Sequence, residues 1–372
     1  MNRRTAFQVA VYAAVCLAFL LLPSFLSDDY VLNRVARYLV LGILAMSLSL
    51  CWGTAGILNL GQALPFGIGS YCMAMTLKLR TVPLQTGASG LPDFMAWNNM
   101  ETLPWLWVPF HSTAFALLAG IAAPVLIAAL LGWFMFKGRV TGVYVAIITL
   151  AALVVGNLLV IDQQAVTGGF NGLTDLAQLE LFGVTFDAYG RSTYYLVAIC
   201  LTASLFAALA ITRSKAGLIL QAIRDQENRV RYFGYDVAHY KIFALCASAA
   251  IAGLAGMLYT VVMEFASPTF MGVPLSLSIV VWCAVGGRAS LLGATLGAIV
   301  VAGMQGVLSE QKAFLETWSL IMGAIFVLVV LFLPNGLASL ADAGRRRLAR
   351  VRGAQRMDGM ADRPSKGIGR VL

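Results

Sequence analysis

The chain has 372 residues, of which 60% are hydrophobic and 12% charged, with a mean hydropathy of +0.82 and a formal net charge of +9. Soluble domains carry about 25% charged and about 45–50% apolar residues. This composition with apolar runs of about 20 residues excludes a soluble globular protein and predicts an all-α, polytopic transmembrane helical bundle.

The first expected span runs from about Phe7 to Leu26, behind Arg3 and Arg4. It is longer than the roughly 7–15-residue core of a secretory signal and lacks a small-residue cleavage site, so it reads as a retained helix. Further spans are predicted at Tyr38–Gly53, Ile57–Leu77, Thr113–Phe136, Gly142–Ile161, Thr193–Ile211, Ile242–Met263 and Trp318–Leu333. The apolar stretch Leu275–Leu308 is too long for one crossing and is interrupted at Gly286, Gly287 and Arg288.

Basic residues favour the cytoplasmic side, which settles how to count that stretch. Two short spans around Arg288 give ten crossings, with both termini cytoplasmic; a re-entrant pair satisfies the same parity. The cytoplasmic side then holds two Lys or Arg at the N-terminus, Lys137 and Arg139, six between Arg213 and Lys241, Arg288, and nine in the tail; six remain outside. The net charge is therefore mostly topology and implies no nucleic-acid partner. Residues 1–340 form the expected transmembrane domain, and 341–372 a basic, disordered cytoplasmic tail whose arginines lie near anionic headgroups.

Two outer loops are predicted, 78–111 and 162–192. Trp97, Trp105 and Trp107 in the first read as interfacial anchors or as a docking surface. The six cysteines all lie in apolar segments without metal-type spacing and read as packing residues. His111 and His239 are isolated and read as interfacial. No P-loop, HExxH or GxSxG motif occurs, so neither catalysis nor a cofactor is expected. No charge sits at the middle of a span, which argues against an ion-coupled pump.

Two membrane segments are interrupted. GILNLGQALPFGIGSY contains Asn59, Gln62 and Pro65; proline removes a backbone donor, and irregular backbone at depth survives only against protein or a water-filled cavity. GGRASLLGATLGA begins at Gly286 and Gly287 and carries Gly293 and Gly297 at helix-packing spacing. Paired broken segments point to a transport site, with Asn59, Gln62, Pro65, Gly286 and Gly287 as candidate pathway residues; helix packing alone is the other reading.

The polar stretch Arg213–Lys241 is predicted to be a helix capped by Ser214 and stopped at Gly234, with Leu218, Ile219, Ala222 and Ile223 on its apolar face. Its charges read either as a solvated loop or as a contact with a partner.

The stretch Ala222–Gly256, with AGILNLGQ (Ala55–Gln62), RVTGVYVAIITLA (Arg139–Ala151) and AVGGRASLLGATLGA (Ala284–Ala298), resembles permease subunits of branched-chain amino acid-type ABC importers. Within that family, LPDFMAWNNMETLPWLW, GGFNGLTD and RDQENRVRYFGY are most similar to the larger permease of urea importers. Gln62 departs from the family, where histidine is frequent, and nothing beyond Arg345 matches. The resemblance implies a bacterial inner-membrane location, a second homologous permease, two cytoplasmic ATPase subunits and a periplasmic substrate-binding protein. It makes Arg213–Lys241 the segment coupled to an ATPase, with Ala222, Arg224, Asp225, Glu227 and Gly234 at its core. Replacing Asp225 and Glu227 by arginine is then expected to abolish ATPase stimulation without unfolding the permease. Other readings are a branched-chain amino acid cargo or a non-transporting membrane scaffold.

Overall fold

The computed structural model describes residues 3–26, 28–82, 90–181 and 183–308, together with 320, 323, 324 and 327. All but four residues of the expected last span, Trp318–Leu333, and the whole basic tail lie outside the described residues.

Helix α1 spans Arg3–Leu21 and packs on α8, Arg191–Arg213. Helix α2 spans Asp29–Ser49 and starts nine residues before the expected Tyr38. Asp28 caps it by accepting from the Tyr30 amide at 2.9 Å, and Asn33 donates to the carbonyls of Ala188 (2.8 Å) and Val262 (3.0 Å). A polar residue inside this helix is thus paid for by neighbouring backbone. The helix ends in a π-turn, Leu50–Thr54. After an irregular segment, α3 runs Ala63–Thr81, so the first six residues of the expected span Ile57–Leu77 are not helical.

The segments expected outside carry α4 (Asp93–Trp97), α7 (Gln164–Thr167) and a two-stranded hairpin of β1 (Leu179–Leu181) and β2 (Val184–Phe186). Helices α5 (Thr113–Lys137), α6 (Val143–Asp162) and α8 match their expected spans closely. Helix α9 is Lys215–Tyr232 and α10 is Val237–Met263. Helices α11 (Val273–Gly286) and α12 (Leu291–Leu308) meet at 118°, neither a straight continuation nor an antiparallel pair. Five helices of the described residues are long and apolar enough to cross a membrane, and a sixth crossing results if α11 and α12 are one broken span.

Helix α10 is the centre of the bundle, packed against α2, α3 and α5. Small residues let it approach α3 closely: the Ser70 and Thr260 hydroxyls lie 2.6 Å apart across the contact. The main core gathers Leu39, Ile43, Met46, Phe66, Leu77 and Val261. A second cluster, including Cys51, Ile57, Phe136, Val145, Leu220, Ile223 and Leu245, joins α9 to the ends of the membrane helices.

Hydrogen bonds sort the connections onto two faces. At one face, Lys78 Nζ reaches the Thr174 carbonyl (2.9 Å) and Asp93 (2.7 Å), Trp107 Nε1 reaches the Val166 carbonyl (3.0 Å), and Leu173 bridges Ala266. The described residues of 78–111 and 162–192 therefore pack into one cap. At the opposite face, Arg224 meets Gly53, Lys137 meets Asp236 and Ser49 meets Arg288. Among the described residues, Lys137, Arg224 and Arg288, expected inside, thus lie at one face and Lys78, expected outside, at the other.

Candidate functional site

The irregular segment between Gly56 and Gln62 breaks what would otherwise be a continuous helical path, and its freed backbone groups need partners. Side chains supply them. Thr149 of α6 accepts from the Leu60 amide at 3.1 Å, Asn59 Oδ1 accepts from the Gly61 amide at 2.9 Å, and Ser276 of α11 donates to the Leu60 carbonyl. Asn59 Nδ2 donates to Gln62 Oε1 at 2.7 Å. Gln62 Nε2 donates in turn to Ser47 Oγ of α2 (2.7 Å) and Ser248 Oγ of α10 (2.9 Å). Ser248 Oγ completes the ring by donating to the Ser47 carbonyl at 2.7 Å.

Gln62 is fully buried and Asn59 nearly so. The Gln62 amide ties α2 and α10 to the broken segment, and the Leu60 backbone ties α6 and α11 to it. The cavity beside Asn59 and Pro65 measures about 30 Å³, room for a water or two and not for a solute. These pathway candidates thus hold the break closed in this conformation. Sequence reasoning missed Ser47, Thr149 and Ser248; each is a hydroxyl inside an apolar run, but nothing local to any of them names its partner.

Gly286 and Gly287 lie elsewhere, at the α11–α12 junction. A methyl group on Gly286 would overlap the Gly293 carbonyl oxygen, and Gly287 has φ +108°. The GxxxG spacing at Gly293 and Gly297 is used for close packing against Gly286. The turn then touches α2: Ser49 Oγ donates to the Arg288 carbonyl at 2.9 Å, and the Arg288 guanidinium sits 5.6 Å from the centre of the Trp52 ring. The two interruptions are not brought together into one polar site.

Helix α9 begins as its sequence predicts, with Ser214 Oγ accepting from the Gly217 amide at 3.2 Å, and Gly234 just past its end has φ +85°. Its buried face coincides only in part with the expected one. Gly217, Leu220, Ile223 and Val230 are buried, whereas Leu218 is 61% exposed and Ala222 is exposed. Of the expected face, Ile223 and the half-buried Ile219 meet the second cluster together with Leu220, while Leu218 and Ala222 turn outward. The helix is also not continuous, because Gln226 leaves helical geometry at φ −154°, ψ 82°.

The five coupling candidates divide around that break. Arg224 Nη1 donates to the Gly53 carbonyl at 2.6 Å while its Nε holds Asp225 at 3.0 Å. Glu227 accepts from Arg231 at 2.5 Å and from the buried Lys241 of α10 at 2.6 Å; Lys241 also lies 5.5 Å from the Phe136 ring centre. Arg224 and Glu227 therefore face the membrane helices, while Ala222, Asp225 and Gly234 are exposed together with Tyr232 (91%) and Phe233 (81%). The expected clean effect of replacing Asp225 and Glu227 together is corrected: an arginine at 227 would stand against Lys241 and disturb the fold. Lys241 was missed because its sequence position, at the edge of an apolar run, is that of an ordinary interfacial lysine.

Asp236 caps α10 by accepting from the amides of Ala238 (3.0 Å) and His239 (3.4 Å). Loss of solvent around its carboxyl is the largest single influence and works the other way, but hydrogen bonds from Lys137 and His239 together hold it below the usual carboxylate range.

Residues 30–330 match the family described as "Branched-chain amino acid transport system / permease component". The chain belongs to this family. Its relatives include the high-affinity branched-chain amino acid transport system permease protein LivM of Escherichia coli, 28% identical across 79% of this chain and 67% of the relative. The probable LivM of Methanocaldococcus jannaschii is 24% identical across 79% and 89%, respectively. The ribose import permease RbsC of Haemophilus influenzae is 24% identical across 89% and 93%. No solved structure matches. The apolar spans of the bundle are those of an integral membrane permease.

Proposed function

We propose that this permease is the membrane-spanning subunit of an ATP-driven importer with urea as its cargo. It would work with a second homologous permease, two cytoplasmic ATPase subunits and an external binding protein, in a bacterial inner membrane. The observation that carries the mechanical part is the two-sided α9: Arg224 and Glu227 bind it to the membrane helices, while Leu218, Ala222, Tyr232 and Phe233 stand exposed on it. A rigid-body shift imposed on the exposed side would pass through Arg224 to the π-turn of α2, and from Ser49 to the Arg288 turn. The face carrying α9 is read as cytoplasmic because it holds Lys137, Arg139, Arg288 and the six Lys and Arg of 213–241, against Arg34, Arg37, Lys78, Arg80 and Arg191 opposite. Ten crossings with both termini on that face fit the same grouping.

Urea as cargo is supported by the motifs at Leu91–Trp107, Gly168–Asp175 and Arg224–Tyr235. The neutral amide and hydroxyl groups around Asn59 and Gln62 suit a small uncharged solute once the break opens. A second reading, a branched-chain amino acid cargo, is favoured by the names of the LivM relatives. The ribose permease among the relatives shows that resemblance at this level does not fix the cargo. Uptake of labelled urea and labelled leucine by cells lacking this gene, grown under nitrogen limitation, separates the readings. Loss of urea uptake supports the proposal; loss of leucine uptake alone replaces it with the second reading.

A further inference from the structure

Among the described residues, two cavities lie between the same elements. One, near the α9 face, measures about 110 Å³; the other, deeper in the bundle beside Asn59, about 30 Å³. On α6, Val145 borders the first and Thr149 the second; on α10, Lys241 borders the first, and Leu245 and Ala249 the second. On α5, Phe136 borders the first and Ala128 the second, and on the irregular segment Leu58 gives way to Asn59. Steps of four and eight residues keep to one side of a helix, so each helix presents a single stripe to both spaces. The cavities therefore lie in line, about one helical turn or 5.4 Å apart.

Packing alone does not call for such a row, because protein interiors hold few voids. Here α5 and α6 barely touch, although the short turn 138–142 joins them. The lining also changes along the row. The deeper cavity has only the Asn59 amide and the Thr149 hydroxyl as polar side-chain groups, whereas Arg224, Glu227 and Lys241 border the one near α9. At that end Lys241 is bound to Glu227 at 2.6 Å. The two inward anchors of α9 stand on opposite sides of its break at Gln226: Arg224 on Gly53 before it, Glu227 on Lys241 after it.

We propose that the row is the solute route of this subunit, and that the Glu227–Lys241 ion pair closes its inner end. The inference rests on the importer reading above and adds to it the route and its gate. The part of α9 after Gln226 would draw Glu227 off Lys241 while Arg224 keeps its place on Gly53. Parting the pair opens the exit and returns both charges to water, which offsets much of the lost attraction. Asn59 and Thr149 then face the solute, and Gln62, which borders neither cavity, only anchors the break.

The test reads water access from the α9 side, using inside-out vesicles of cells that produce the protein and a charged, membrane-impermeant thiol reagent, ethylammonium methanethiosulfonate. Ala128→Cys and Ala249→Cys place near-isosteric thiols in the deeper cavity from two different helices, so either carries the test if the other does not fold. Ala151→Cys, on the exposed side of α6, is the lipid-facing control, and labelling of the parent's own cysteines is subtracted. Adding Glu227→Gln with Lys241→Met should speed labelling in the deeper cavity by about tenfold or more and leave Ala151→Cys unchanged. Val145→Phe, which directs a ring into the 110 Å³ space, should reverse that gain. It should also lower uptake of whichever of urea and leucine the parent carries by about tenfold. Thiols that stay unlabelled without the ion pair, or that react as fast with it as without it, overturn the proposal. So does a gain in labelling, or an uptake, that survives Val145→Phe. Labelling uses no cargo, so failure of the importer reading, with neither solute taken up by the parent, is told apart from failure of the route.

Discussion

The buried break at Gly56–Gln62 and the exposed segment α9 are both polar interruptions of an apolar chain, yet their side chains are disposed in opposite ways. In the break, Asn59 and Gln62 spend their amides on protein partners and lie at or below 6% exposure. In α9, two charged residues bind inward while large aromatic side chains stand in solvent. Burial makes each unmade hydrogen bond expensive, so the break is saturated. The exposed apolar surface of α9 makes no such demand on the fold, and under the proposed function an ATPase subunit would cover it. The comparison teaches that polarity within this chain marks function only where it is not consumed by the fold.

Substitutions at saturated positions should therefore cost folding, beginning with Gly286. Gly286→Ala places a methyl group on the Gly293 carbonyl, backbone against backbone, with no flexible side chain able to yield. A loss of about 3–5 kcal/mol is expected, in the range of severe overpacking. Thermal unfolding of the detergent-purified protein measures it, and a near-native Tm would show that α11 and α12 can separate freely. Gln62→Leu comes next, taking the acceptor from the Asn59 amide and a donor from Ser47 and Ser248, whose hydroxyls keep their carbonyl partners, at about 2–3 kcal/mol. Should Gln62→Leu keep its stability and lose transport, Gln62 belongs to the pathway after all, and the break is not a purely structural device.

Glu227 sits between the two regimes. Glu227→Gln removes the carboxylate from a lysine that is 9% exposed and should destabilise by about 1–3 kcal/mol, less than a fully buried pair because Glu227 remains 23% exposed. Adding Lys241→Met should restore most of that loss, since the uncompensated charge is then gone. A double variant no better than the single one would place the damage in the Glu227–Arg231 contact instead.

How legible this was in the sequence follows the same division. Apolar runs located α5, α6, α8 and α10 to within a few residues, because span length is set by the membrane. The start of α2 was missed because Arg34 and Arg37 read as a loop, while Asn33 finds backbone partners 155 and 229 residues away. The π-turn at Leu50–Thr54 and the break at Gln226 have no local signal; neither contains proline, and both are settled by tertiary contacts. The coupling candidates were named as a group by the resemblance to the permease family, since their charge pattern alone reads equally as a solvated loop. Which of them turn inward depended on Lys241 and Gly53, distant partners that residue type alone does not reveal.

The outward side of α9 should behave in the reverse manner. Tyr232→Ser with Phe233→Ser removes two exposed aromatic rings and should change stability by no more than about 0.5 kcal/mol. Under the proposed function the same pair should lose stimulated ATP hydrolysis in the reconstituted complex. Unchanged hydrolysis would return these rings to the status of a solvated or lipid-anchoring surface.

The smallest effect expected is at Asp236, where the two regimes meet at the start of α10. Loss of solvent is the largest single influence on its carboxyl, yet the group lies below its ordinary value of 3.8 because hydrogen bonds from Lys137 and His239 together outweigh that loss. A lowered carboxyl pKa means the unfolded chain binds the proton more tightly, so this contribution is complete above the ordinary pKa and fades as the pH falls below it. Because Asp236 and Lys137 are about half exposed, solvent screening keeps the amplitude small. Asp236→Asn retains the cap on Ala238 and removes the charge, since asparagine caps helices as well as aspartate does. The variant should lie slightly below the parent at neutral pH, converge on it as the pH falls from 3.8 through the lowered folded-state value, and show a flatter acid limb. If the two proteins instead differ equally at every pH, the capping geometry and not the Lys137–Asp236 charge pair is what joins α5 to α10 on this face.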